Sequence, residues 1–137
     1  MAVCDYELAS PPHEKRSLEL WLQHAAGFII FEDARRFAAD RIDPNLGDEA
    51  RAAALRGIDD AIYGLMMILN GVSGGLSSPT ARMDLHVKAR LVECDGSRTE
   101  TIKAEIDLAD GDGMCMGYHG WREGDFGEDP VACRRSR

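Results

Sequence analysis

From Asp48 onward, apolar residues recur at helical spacing: Leu55, Ile58, Ile62, Leu65, Leu69 and Val72 are separated by 3, 4, 3, 4 and 3 positions. This period lines them up on one stripe, while Arg56, Asp59 and Asp60 fall off it. The pattern predicts a helix with Asp48 as its N-cap, although Arg51 stands where a capping box would have Glu. Asn70-Gly71 supplies the stop.

A second helical pattern lies upstream, through Leu18, Trp21, Leu22, Ala25, Phe28, Ile29, Ala34, Phe37, Ala38 and Ile42. It predicts a helix that starts between His13 and Ser17 and runs to about Asp40. Ser10-Pro11-Pro12 cannot be helix interior, so residues 1–16 read as a polar lead-in. Asp43-Pro44 ends the helix, because a residue before proline is pushed out of the α region. The block Ala25-Ala26-Gly27-Phe28-Ile29-Ile30-Phe31 is apolar all round. It suits a helix buried on more than one side, or one used in a subunit contact. A buried strand over Phe28–Phe31 competes, but helical spacing continues on both sides of it. The short connection between the helices predicts an antiparallel αα-hairpin.

Past the linker Ser73-Gly74-Gly75-Leu76-Ser77-Ser78-Pro79 the period changes to two. Met83, Leu85, Val87, Ala89 and Leu91 alternate with polar residues, as do Ile102, Ala104, Ile106 and Leu108. With Asp95-Gly96-Ser97 between them, they predict a β-hairpin with one apolar face. Two registers are open. A turn at Asp95-Gly96 sets Lys88 opposite Lys103 and Asp84 opposite Asp107. A turn at Gly96-Ser97 sets His86 opposite Asp107 and Lys88 opposite Glu105, with Arg90 facing Lys103; its opposed charges favour it. An isolated hairpin is marginal in water, so its apolar face must lie on the helices. Its edges are left to pair with a strand from the termini or with a second subunit. The expected fold is one α+β domain over residues 1–137: a two-helix antiparallel hairpin packed on a small antiparallel sheet, a Gly-rich C-terminal loop, and a flexible basic tail at 131–137.

Composition adds that 45% of residues are hydrophobic, enough for a core without staples. Cys4, Cys94, Cys115 and Cys133 are widely and irregularly spaced and are read as reduced thiols. No signal-type apolar run and no stretch approaching 18 apolar residues occurs. The expected location is cytoplasmic, without a membrane. Of the net charge of −8, residues 105–130 carry −7, opposed only by Arg122. Such a field repels nucleic acid and anionic lipid and favours cations or a basic protein.

That same stretch is chemically the least ordinary. Between Asp110 and Asp129, six glycines interleave with Tyr118, His119, Trp121 and Phe126. Aromatics in a glycine-rich loop can present apolar area at low entropic cost. They can equally cap the open side of the sheet as a structural lid. The candidate binding residues are Asp110, Asp112, Tyr118, His119, Trp121, Asp125 and Phe126.

A calcium loop counted from Asp110 fails, because Met114 and Trp121 occupy ligand positions. Cys115 and His119 supply at most two ligands of a zinc site. Glu32-Asp33 and Asp59-Asp60 on adjacent helices lack the Glu-x-x-His pattern of carboxylate metal bundles. They read as a solvated or ion-paired face with Arg35, Arg36 and Arg56 nearby. No phosphate loop, nucleophile elbow or His-Glu-x-x-His occurs. No catalytic residue, cofactor or resident metal is therefore assigned. The function expected is a small acidic binding protein that docks a basic protein partner, of the immunity or antitoxin type, and forms a homodimer. The alternative is a small enzyme or ligand-binding domain built on Asp110, Asp112, His119 and Trp121 with a divalent metal.

Overall fold

The first long helix begins where Glu14 can cap it: the Glu14 carboxylate accepts hydrogen bonds from the backbone N–H groups of Arg16 and Ser17 at 3.0 and 2.7 Å. In the computed structural model, which describes residues 6–127 and 130–133, α1 (Lys15–Ile29) passes through a π-helical segment (Ile30–Arg35) into a last turn, α2 (Arg36–Ala39). The helix is thus continuous across Phe28–Phe31, and the competing strand does not form. After the Asp43-Pro44 turn, α3 spans Asp48–Leu69. Its cap position is Gly47, without a side-chain cap, so Asp48 is not the N-cap; Asp48 and Glu49 instead lie in the first turn, where negative charge complements the helix dipole. Gly71, at φ 77°, ends α3.

The strands make three two-stranded antiparallel ladders. β2 (Leu76–Ser77) pairs with β3 (Arg82–Met83) inside the linker region. β4 (Lys88–Cys94) pairs with β5 (Glu100–Asp107) as the predicted hairpin, though β4 starts later than the alternation suggested. Its register is neither of those anticipated: Lys88 faces Asp107 and Arg90 faces Glu105, with a bulge between Leu91 and Val92 that absorbs a longer turn. The predicted charge pairs nevertheless form diagonally. His86 Nδ1 lies 2.8 Å from Asp107 Oδ2, and Lys88 Nζ lies 3.0 Å from Glu105 Oε1. Long side chains reach a diagonal neighbour as readily as a direct one.

Two features of the ends differ from expectation. The lead-in contributes β1 (Tyr6–Leu8), which pairs with β6 (Val131–Cys133). Residues 131–133 are therefore strand rather than tail, because alternate pairing with β1 satisfies their backbone groups. Residues 134–137 and Cys4 lie outside the described residues. The Gly-rich segment is not a loop along its length: α4 (Gly113–Arg122) is a helix.

α4 sets the architecture. It packs against both α1 and α3 and so fills the space between the arms of the helical hairpin. The main core lies at this junction, where Phe28, Phe31, Ile62, Met66, Met114, Tyr118 and Trp121 are buried together. A second cluster, Trp21, Leu22 and Ile106, lies between the N-terminal half of α1 and the β4–β5 hairpin. Most of the all-round apolar block is thereby explained, since α1 serves helices on one side and sheet on the other, while Ile29 stays exposed.

On α3 the buried set is Asp59, Ile62, Met66 and Leu69, whereas Leu65 is 40% exposed and Val72 62%. The stripe is thus rotated from the one read in sequence, because α4 rather than α1 covers it. Ile62→Ala is expected to cost about 2–5 kcal/mol in chemical denaturation and Leu65→Ala less than about 1 kcal/mol. Equal losses would show that α3 is rotated relative to this packing.

Candidate functional site

The segment from Asp110 to Phe126 divides its side chains between two environments. Tyr118, Trp121 and Phe126 point inward and are 3%, 3% and 8% exposed. Asp110, Asp112, His119 and Asp125 remain on the outside. The structure therefore brings the three aromatics together in the core and leaves the carboxylates and the histidine at the surface.

Trp121 is held by glycine. A Cβ on Gly27 of α1 would lie 2.6 Å from three indole carbons, and one on Gly117 of α4 would lie 2.2 Å from a fourth. The ring occupies a slot that two missing side chains create. Phe31 meets it edge-on at 6.4 Å between centroids and meets Tyr118 at 5.4 Å. Phe126 packs edge-on against Phe28 at 5.2 Å. Such pairs add about 0.5–1.5 kcal/mol beyond burial. At the start of α4, the Asn70 side-chain oxygen accepts the Met114 N–H at 3.2 Å, so the residue that ends α3 also caps α4. Buried Gln23 donates from Nε2 to the carbonyl oxygen of Asp110, which fixes the turn leading into the helix.

Beneath α4 lies a buried carboxylate that the apolar stripe had placed outside. Asp59 is 5% exposed. Arg35 approaches it with Nε 2.8 Å from Oδ1 and donates a hydrogen bond to Oδ2 at 3.1 Å, while Arg122 Nε stands 3.6 Å from Oδ2. Oδ1 has the ion contact but no aligned hydrogen bond. The Tyr118 hydroxyl donates to the Asp59 carbonyl oxygen at 2.8 Å. Burial, with the Asp59 charge second, pushes that phenol above its ordinary range and keeps it a donor. The ion-paired reading of Asp59 and Arg35 stands, with Arg122 added by the fold.

The outer face has a member that sequence reading missed. His24, one turn past Trp21 on α1, meets Trp121 edge-on at 6.2 Å. The chain at Gly127 crosses its ring so closely that a Cβ there would lie 2.6 Å from the imidazole. Burial lowers the His24 pKa below 6.5, and Asp125 and then Asp112 oppose that shift. No local sequence signal marks this, because residues about 90–100 positions apart create the environment. His119 is elsewhere, its ring 6.1 Å from Tyr63 of α3. The Asp/His set is thus split between two sides of α4. Among the described residues, no three His, Cys, Asp or Glu side chains converge as a metal site requires.

A pH dependence follows for His24. Its folded-state pKa is depressed, so the folded state favours the neutral ring. That contribution is fully present above the unfolded value and is lost as pH falls through 6.5 toward the lower folded value. The melting temperature is expected to fall between about pH 7 and pH 5, and His24→Gln to flatten that limb. An unchanged limb in the variant would place the titrating group elsewhere.

Four carboxylates flanking α4 (Asp110, Asp112, Glu123 and Asp125) are exposed, and none forms an ion pair among the described residues. Among the described residues, no helix is long and apolar enough to cross a membrane. No family model, no curated protein and no solved structure matches this chain, so what it does has to be argued from the geometry of this α+β fold alone.

Proposed function

We propose that this chain is a small acidic binding protein whose carboxylates around α4 receive a basic protein surface, as an inhibitor of the immunity or antitoxin type would. One observation carries this reading. Arg35 and Arg122, though partly exposed, are both engaged with Asp59, which leaves Asp110, Asp112, Glu123 and Asp125 outside without a cationic partner among the described residues. Unopposed like charges destabilise a compact state through self-repulsion, and a cationic partner would relieve that cost. The helix they flank is braced by the Trp121 slot and the Asn70 cap, so the backbone on either side of it that carries them is anchored before any encounter.

The role of the aromatics changes within this reading. With Tyr118, Trp121 and Phe126 buried, affinity rests on charge rather than on an aromatic anchor. The alternative of an enzyme using Asp110, Asp112, His119 and Trp121 draws less support, since His119 faces α3 and Trp121 faces α1.

The test compares the protein with a variant carrying Asp110→Asn, Asp112→Asn, Glu123→Gln and Asp125→Asn as baits in a native lysate. The four changes leave the Gln23–Asp110 backbone contact and the Asp125–Gly127 turn available. The wild type is expected to retain a basic protein whose on-rate falls about tenfold or more between about 0.02 and 0.2 M ionic strength. The variant is expected to lose that steering while its melting temperature holds or rises, since the self-repulsion is relieved. Equal capture by both baits at both salt concentrations would overturn the proposal.

A further inference from the structure

The β1–β6 and β4–β5 ladders share α1 as their floor, yet β1 and β4 share no hydrogen bond. Tyr6 packs edge-on on Phe28 at 5.1 Å, under the first ladder. Trp21 and Leu22 pack beneath the second. Between the ladders runs an apolar groove of about 380 Å³. Trp21, Leu22, Ala25 and Ile29 form its base, Leu8 of β1 stands on one side, and Val87 with residues 88–91 of β4 stands on the other. Its volume falls within the usual range of binding sites, about 300–1,000 Å³. A shallower apolar hollow continues it along β1, past Leu8 and Ile29. Leu8 and Ile29 are 58% and 52% exposed, unusually open for large aliphatic residues on a shared face.

We infer that this groove is a vacant strand position, which binds an extended peptide segment of a partner protein by β-augmentation. Among the described residues each strand of a two-stranded ladder has one edge unpaired, so alternate N–H and C=O groups of β4 point away from β5. Main-chain groups offered along an apolar floor select an extended backbone over a helix or an acyl chain, neither of which can pair with them. The alternation of β4 fixes the occupant's pattern. Ala89 and Leu91 are half-buried and face the floor, whereas Lys88 and Arg90 are exposed on the outer face. Lys88 already meets Glu105, but Arg90 has no ion pair among the described residues; Glu7 is the acid on the far rim. The occupant has apolar residues at alternate positions directed at α1 and an acidic residue in the outward position beside Arg90. This site is separate from the acidic face around α4 and calls for the opposite charge.

The probe is a synthetic peptide of about seven residues alternating valine and glutamate, a length matched to a typical strand. Amide hydrogen exchange of the full chain supplies the readout. Saturating peptide is expected to protect the alternate amides within residues 87–91 that point away from β5 at least about tenfold, with the α4 amides unchanged. The same peptide with alternate backbone nitrogens methylated is expected not to bind, because it cannot complete the ladder. A valine–lysine version is expected to bind about threefold more weakly or worse, the size of a lost cross-strand charge pair. Equal binding by the methylated peptide would show apolar partition rather than strand pairing and would overturn the inference. Equal or tighter binding by the lysine version would overturn the acidic assignment. Protection of residues 87–91 that rises with protein concentration alone would identify a second copy as the occupant and overturn the partner assignment. A failure of steering around α4 would leave all these outcomes unaffected.

Discussion

Gly27→Ala is expected to destabilise the protein by about 3 kcal/mol, although alanine is the better helix former. In an open helix the change would gain about 1 kcal/mol. Here the new methyl group would sit 2.6 Å from the Trp121 indole, which cannot retreat because Gly117 backs its other side at a distance no Cβ could tolerate. Overpacking a filled core typically costs about 1–3 kcal/mol, and a rigid ring trapped between two helices belongs at the upper end. The decisive comparison is a double-mutant cycle. Trp121→Ala alone should cost about 3–5 kcal/mol by emptying the slot. Adding Gly27→Ala to that background should cost nothing or restore up to about 1 kcal/mol, since the methyl group then enters the vacated space. Denaturant unfolding of the four proteins measures the reversal of sign. If Gly27→Ala were equally harmful in both backgrounds, the ring would not occupy the slot.

The second large effect belongs to Asp59. Arg35→Met is expected to cost about 3 kcal/mol, because it leaves a 5% exposed carboxylate with only the more distant Arg122. Arg35 is itself partly solvated, which keeps the value below that of a fully sequestered pair. Arg35→Lys should recover little, since a single ammonium cannot reach both oxygens as the guanidinium does. Replacing both partners, Arg35→Met with Asp59→Leu, should recover most of the loss, because no charge is then left buried without its partner. Thermal unfolding of the three variants tests this. A double variant as unstable as Arg35→Met alone would mean that Asp59 acts mainly through Arg122.

Periodicity alone was enough to place the long helices, the hairpin and the α+β class. Leu18 through Ile42 and Leu55 through Leu69 repeat at the helical period, Ala89 to Leu91 and Ile102 to Leu108 at the strand period, and these are local consequences of which face is buried. It also exposed the apolar block at 25–31, and it set Asp59 on a polar face near Arg35 without showing that the carboxylate is buried. The tertiary structure decided the rest. Glycines 113, 117 and 120 have poor helix propensity, so residues 113–122 read as loop; the helix forms because it buries Met114, Tyr118 and Trp121, and because Gly27 and Gly117 are small enough to admit the indole. The rotation of the α3 stripe toward Ile62 and Met66, the half-burial of His24 and the pairing of β1 with β6 have the same origin. Each depends on contacts between residues far apart in the chain, and such contacts leave no local period to read.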